Sequence, residues 1–212
     1  MSVEPERLAG WLTRFAERHG TAECLPGPVD VVFTAADGAV AACRVPFAPL
    51  PVDPTAADGG LVAHSLTDRH VGVLLVRLGG YAAGVFAGRK LVRSKVGSRQ
   101  VHGRSAAGGW SQHRFARRRE GQVRTALATA ADVASAILLP GLSGLDAVVT
   151  GGDRRAIETV LADPRLAGLR ALVVEPHLEV PDPKLRVLEQ TPGQFRAVRI
   201  KVTEPSPVGG PS

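Results

Sequence analysis

Acidic side chains are nearly missing from one stretch of this 212-residue sequence. Between positions 89 and 124 a single acid, Glu120, stands among eleven bases: Arg89, Lys90, Arg93, Lys95, Arg99, Arg104, Arg114, Arg117, Arg118, Arg119 and Arg124. That segment carries +10, while the rest of the chain has 15 bases against 19 acids, a net of −4. A GC-rich codon bias accounts for arginine over lysine but not for acids absent from one window. Cysteine is scarce as well. Cys24 and Cys43 are too few for a disulfide scaffold or a zinc finger, so free thiols are expected. Long hydrophobic runs are also lacking. The longest uncharged run in the apolar second half, 133–145, has 13 residues and contains Pro140. A membrane-spanning helix needs roughly 20, so no membrane function is expected. Glu4 and Glu6 stand where a signal peptide would carry bases and an apolar run, which points to the cytoplasm.

The sequence that remains predicts a mixed α/β protein. Leu8, Trp11, Leu12 and Phe15 recur at helical spacing over 4–19, with Gly20 as a stop. Runs at 29–34 and 40–45 flank Asp37-Gly38 as in a hairpin. The proline-rich stretch 46–60 reads as a loop. Three short strands, 71–77, 81–87 and 90–96, are separated by turns too short for a crossover, so they form an antiparallel meander. A glycine-rich, flexible loop is predicted over 97–109. A long helix then runs over 111–139, its apolar stripe including Phe115, Val123, Ala126, Leu127, Ala130, Ala134, Ile137 and Leu138, and ends at Pro140-Gly141. Strands at 146–150, 171–175 and 194–202 alternate with a helix at 153–161. The expected division is an N-terminal helix and hairpin packing on the core (1–70), a main domain (71–202) and a disordered tail (203–212). A monomer is expected.

The chemistry concentrates in KVGSRQVHGRSAAGGWSQHRFARRREGQ, residues 95–122. Gly108 and Gly109 permit backbone angles closed to other residues, and Gln112 follows at the helix start. Arg114, Arg117 and Arg118 fall at i, i+3 and i+4 and share a helix face, a geometry suited to phosphates. Like charges this dense call for a polyanionic partner, nucleic acid above all.

The meander, the glycine-rich loop and the GG-x-S-Q-x-RF-x-RRRE run resemble the catalytic domain of class-one release factors of eukaryotes and archaea. They resemble more closely the Vms-like release factors, the VLRF family, in its actinobacterial branch. These hydrolyse peptidyl-tRNA on stalled large ribosomal subunits. The likeness is strong over 71–161. It implies an α+β fold with a five-stranded mixed sheet related to ribonuclease H, and a loop that enters the peptidyl-transferase centre. Classical release factors carry GGQ, and the third position here is Trp110. The VLRF pattern G-x-x-Q is met by Gly109-Trp110-Ser111-Gln112, so the catalytic role would fall on Gln112, with Gly108 and Gly109 shaping the loop. The expected partners are the large subunit with its 23S rRNA, and peptidyl-tRNA. RNA contacts would come from Lys95, Arg99, Arg104, Trp110, Arg114, Arg117, Arg118 and Arg119, and neither a cofactor nor a metal is expected.

Plainer readings stand beside these. The protein could be a non-catalytic rRNA- or tRNA-binding adaptor of the same fold, with Gln112 incidental. Trp110 could anchor a core instead of stacking on a base. His64, Asp68 and His70 have a loosely metal-like spacing without enough further ligands. Gly151-Gly152-Asp153 could cradle a phosphate at a helix start, or Asp153 could simply cap that helix.

Overall fold

A computed structural model describes residues 1–98 and 111–205, for 111–119 the backbone alone. The chain forms two compact units, Met1–Thr67 with Pro192–Ser212, and Asp68–Thr191.

The first unit contains β1 (Ser2–Val3), α1 (Pro5–His19), β2 (Ala22–Pro26), β3 (Asp30–Ala35), β4 (Val40–Arg44), α2 (Leu61–Leu66), α7 (Pro192–Phe195) and β10 (Val198–Thr203). Its five strands pair in the order β1-β10-β4-β3-β2, every pair antiparallel. The β3–β4 turn is held by Asp37, whose carboxylate accepts the Ala39 N–H at 2.8 Å and meets the buried His19 ring at 2.8 Å. Alternation puts Val31, Phe33, Ala41, Cys43, Val198 and Ile200 into one core with Leu8 and Phe15 of α1. Both cysteines are free thiols, and burial pushes that of Cys43 up to about 12.

The second unit contains β5 (His70–Arg77), β6 (Gly80–Ala87), β7 (Lys90–Ser98), α3 (Ser111–Leu138), β8 (Ala147–Gly152), α4 (Arg154–Leu161), α5 (Ala167–Ala171), β9 (Val173–Leu178) and α6 (Leu185–Glu189). Its sheet order is β7-β6-β5-β8-β9. The meander pairs antiparallel, while β5, β8 and β9 run parallel, so β6 alone opposes the other four strands. This is the five-stranded mixed sheet implied by the family resemblance. β5 is flanked on both edges, and its six inner residues are all buried, which explains its unbroken apolar run. One sheet face, with Leu74, Val76, Ala83, Val85 and Val148, packs on Ala130, Ala134, Ile137 and Leu138 of α3 and on Ile157 and Leu161 of α4. Burying a leucine or isoleucine of this kind contributes about 2 kcal/mol. On the opposite face Leu188 of α6 fills the space above Gly84.

Three expectations need correction. The strand foreseen at 194–202 is split into α7 and β10, and β10 closes the first sheet against β4 instead of belonging to the main domain. Period-two alternation buries Val198 and Ile200 correctly but cannot say which sheet receives them. The N-terminal residues accordingly build a full sheet with its own core, more than a helix and a hairpin, and the second unit spans Asp68–Thr191 where 71–202 was expected. Third, Glu120–Gly144 is long and apolar enough, by length and composition, to cross a membrane. The uncharged-run criterion missed it because Arg124 and Asp132 interrupt an otherwise apolar, alanine-rich helix. Its inner residues Ala130, Ala131, Val133, Ala134, Ile137 and Leu138 belong to the sheet core.

Candidate nucleic-acid interface

The cationic segment joins two structural roots, the end of edge strand β7 and the start of α3. At the first root, Gly97 lies opposite Tyr81 of β6. A Cβ on Gly97 would collide with the Tyr81 ring, so only glycine fits beneath it. That ring in turn packs against the core shared by the sheet and α3. Gly80 is pressed by the Gly97 carbonyl in the same way: a Cβ there would sit 3.0 Å from it.

At the second root, α3 is one continuous helix of 28 residues. From Glu120 onward, where side chains are described, buried positions begin at Ala130. At about 1.5 Å per residue, Ser111 lies some 28 Å along the axis from there. The first turns, which carry the arginines in sequence, therefore stand well away from the anchored end.

Gln112, Arg114, Arg117, Arg118 and Arg119 fall on the first turns of α3, where the backbone alone is described. Arg99, Arg104, Gly108, Gly109 and Trp110 lie outside the described residues. Lys95 is an exposed side chain on β7. Arg93, counted in the basic window but given no separate role, lies two positions earlier on the same strand face and is also exposed. The strand period relating it to Lys95 was available in the sequence.

Other candidates resolve into structural roles. Asp153 caps α4, its carboxylate accepting the Ala156 N–H at 3.0 Å. The phosphate reading of Gly151-Gly152-Asp153 is not needed to explain it. Gly152 adopts φ 95°, and its carbonyl accepts from His177 Nε2 at 3.0 Å. The other ring nitrogen, Nδ1, lies 3.0 Å from the buried Thr150 hydroxyl. The His64 ring meets the Pro46 carbonyl at 2.9 Å, and the His70 N–H donates to Asp146 at 2.7 Å. Among the described residues no group of three or more His, Cys, Asp or Glu could hold a metal ion.

A groove of about 780 Å³ runs between α3 and α4, lined by Val123, Leu127, Ala128, Ala131, Thr159 and Ala162, with Glu120, Arg124 and Asp163 at its rim.

Fold and site together define a mixed α/β domain in which the bases of the cationic window fall on an edge strand, on the first turns of the core helix and in the sequence that joins them. The Actinobacteria/chloroflexi VLRF1 release factor family matches residues 69–201, and the chain belongs to that family. No curated protein matches it. Solved structures similar to it include one described as an archaeal protein, at 15% identity and TM-score 0.42, covering 77% of this chain and 52% of the other. The archaeal translation termination factor aRF1 is similar at 13% identity and TM-score 0.38, over 77% of this chain and 51% of that one. The Vms1 mitochondrial localization core is similar at 10% identity and TM-score 0.40, over 94% and 85%. The chain thus spans about half the length of the first two.

Proposed function

We propose that this protein hydrolyses peptidyl-tRNA on the large ribosomal subunit in the cytoplasm and frees nascent chains from stalled complexes, with Gln112 as its central catalytic group. The observation that carries this reading is membership of the VLRF1 release factor family across 69–201, a span that contains the whole cationic segment and Gln112. The chemistry follows from what an amide can do. A glutamine neither ionises nor takes up a proton near neutral pH, so it does not act as a general base. It donates and accepts hydrogen bonds, which orient a water against the ester carbonyl and stabilise the oxyanion that forms. The ribosome and the terminal ribose of the tRNA supply the rest of the site, so the isolated protein is nearly inert. The arginines hold the arm against RNA.

The test is release of a labelled peptide from peptidyl-tRNA on isolated large subunits. Gln112→Ala lowers the release rate on the order of 10²-fold, as loss of one oxyanion donor does elsewhere, and leaves subunit binding intact. Undiminished release by that variant refutes the role given to Gln112, and no release above background by the unaltered protein leaves the adaptor reading, an RNA-binding module without catalysis, as the better account.

A further inference from the structure

Arg93 and Lys95 occupy the outermost strand of the second sheet, on the face that carries α3. Their cross-strand partners are Val85 and Ala83, both buried members of the α3-facing core, yet the two cations are themselves exposed. On this face of β7, at the edge of the sheet, the two exposed cations thus form an open ledge that carries two positive charges. The Arg93 guanidinium reaches the turn just after α3, where a Cβ on Gly141 would lie 3.4 Å from it. A cation near a helix C-terminus is favoured there. Lys95 lies one row further along, and Gly97 with Tyr81 closes the ledge next to the cationic segment. Among the described residues neither cation has an ion-pair partner, whereas Arg44, Arg77, Arg165 and Arg196 are each paired with a carboxylate. From 111 to 131 the facing helix contributes one acid, Glu120.

We infer that this ledge is a binding track for the sugar-phosphate backbone of RNA, with Arg93 and Lys95 contacting neighbouring phosphates. Two positions along a strand are about 6.6 Å apart, close to the step between successive phosphates of an extended strand. An edge strand also presents unpaired N–H groups, which donate to phosphate oxygens as the side chains do. In the chain the track directly precedes the cationic sequence 99–119. The inference deepens the proposed function and rests on its reading of the partner as RNA. Charged residues on an edge strand also serve to block strand addition by another chain, and the test is built to separate that role.

The double variant Arg93→Glu/Lys95→Glu keeps the edge charged, so protection against aggregation is retained, while attraction to phosphate is reversed. Binding of the full chain to a fluorescent oligouridylate is measured by anisotropy between about 50 and 200 mM salt. Each phosphate contact on a single strand adds about 0.7 to the slope of log K against log salt, so the double variant flattens it by about 1.4. The control Arg199→Glu/Lys201→Glu, on exposed positions of β10, leaves the slope within about 0.3. An unchanged slope in the ledge variant overturns the inference, as does an equal change in the control. Polyglutamate that competes as strongly as RNA overturns it too, since the partner would then be an acidic protein. Normal RNA binding by the ledge variant together with lost release by Gln112→Ala removes the ledge and keeps the hydrolase. The reverse pattern, a flattened slope in a protein that never releases peptide, keeps the ledge and removes the hydrolase.

Discussion

Replacing Gly152 by alanine tests whether the Gly-Gly-Asp sequence is a structural joint or a phosphate cradle. Gly152 ends β8 at φ 95°, in the left-handed region where an L side chain costs about 1–2 kcal/mol. An alanine Cβ would also be driven into the Val76 carbonyl, which is backbone and has no rotamer to change. That same carbonyl accepts the Asp153 N–H at 2.8 Å, and Asp153 caps α4. Displacing it loosens the end of β5, the exit of β8 and the start of α4 together, for a further 1–3 kcal/mol or about that. A total near 3 kcal/mol corresponds to roughly a 150-fold loss of amide-exchange protection, since each factor of ten is about 1.4 kcal/mol. Hydrogen exchange followed by mass spectrometry reads this directly in peptides from β5, β8 and α4. The phosphate-cradle reading expects the opposite pattern, with protection retained and RNA affinity lost. Gly152→Ala with native protection would refute the structural account of this joint.

The elements of the second unit were legible in the sequence because each carries a local signal. Gly79-Gly80 and Gly88-Arg89 leave no room for a crossover, which dictates the meander, and the stripe ending at Leu138 with Pro140-Gly141 behind it sets the anchored half of α3. Asp153 announced its helix by the same local logic. Assignments that depend on distant partners were not legible. The alternation of Val198 and Ile200 identifies a strand but not its neighbour β4, which lies over 150 residues earlier in the chain. β2, with Ala22–Pro26, escaped because Glu23 and a terminal proline weaken its pattern, and its pairing with β3 alone makes it a strand. At the candidate site, the charge separation was plain in the composition. The ledge was not, because it depends on which face of the sheet carries α3. Tyr81 over Gly97 was hidden for a related reason: Gly97 reads as the first residue of the glycine-rich loop expected over 97–109, whereas it belongs to β7 and faces the opposing ring.

Two further outcomes follow from single contacts. The Asp37 carboxyl is held below its usual range, first by the Ala39 backbone N–H and then by the His19 ring. A lowered carboxyl supports the fold above its unfolded pKa, about 3.9, and that support is lost as pH falls through the lowered value. Asp37→Asn therefore flattens the acid limb of a urea-midpoint-against-pH profile, and an unchanged limb contradicts the assignment. Gly97→Ala forces Tyr81 off the core that it covers together with α3, and overpacking of this kind costs about 1–3 kcal/mol. Tyr81→Ala has a cost of its own, but it removes the ring with which the new methyl collides. In the double variant the alanine at 97 then adds almost nothing, so the two changes couple by about 1 kcal/mol or more in the rescuing direction. Contacts made only for stability and contacts that also aim the arm part company in the release assay. If Tyr81 positions the segment that follows Gly97, Gly97→Ala slows release of bound peptide at a temperature where the fold is intact, while subunit affinity is unchanged. Additive stabilities within about 0.4 kcal/mol, or release that merely tracks the folded fraction, would show that the ring and the glycine are neighbours with no such role.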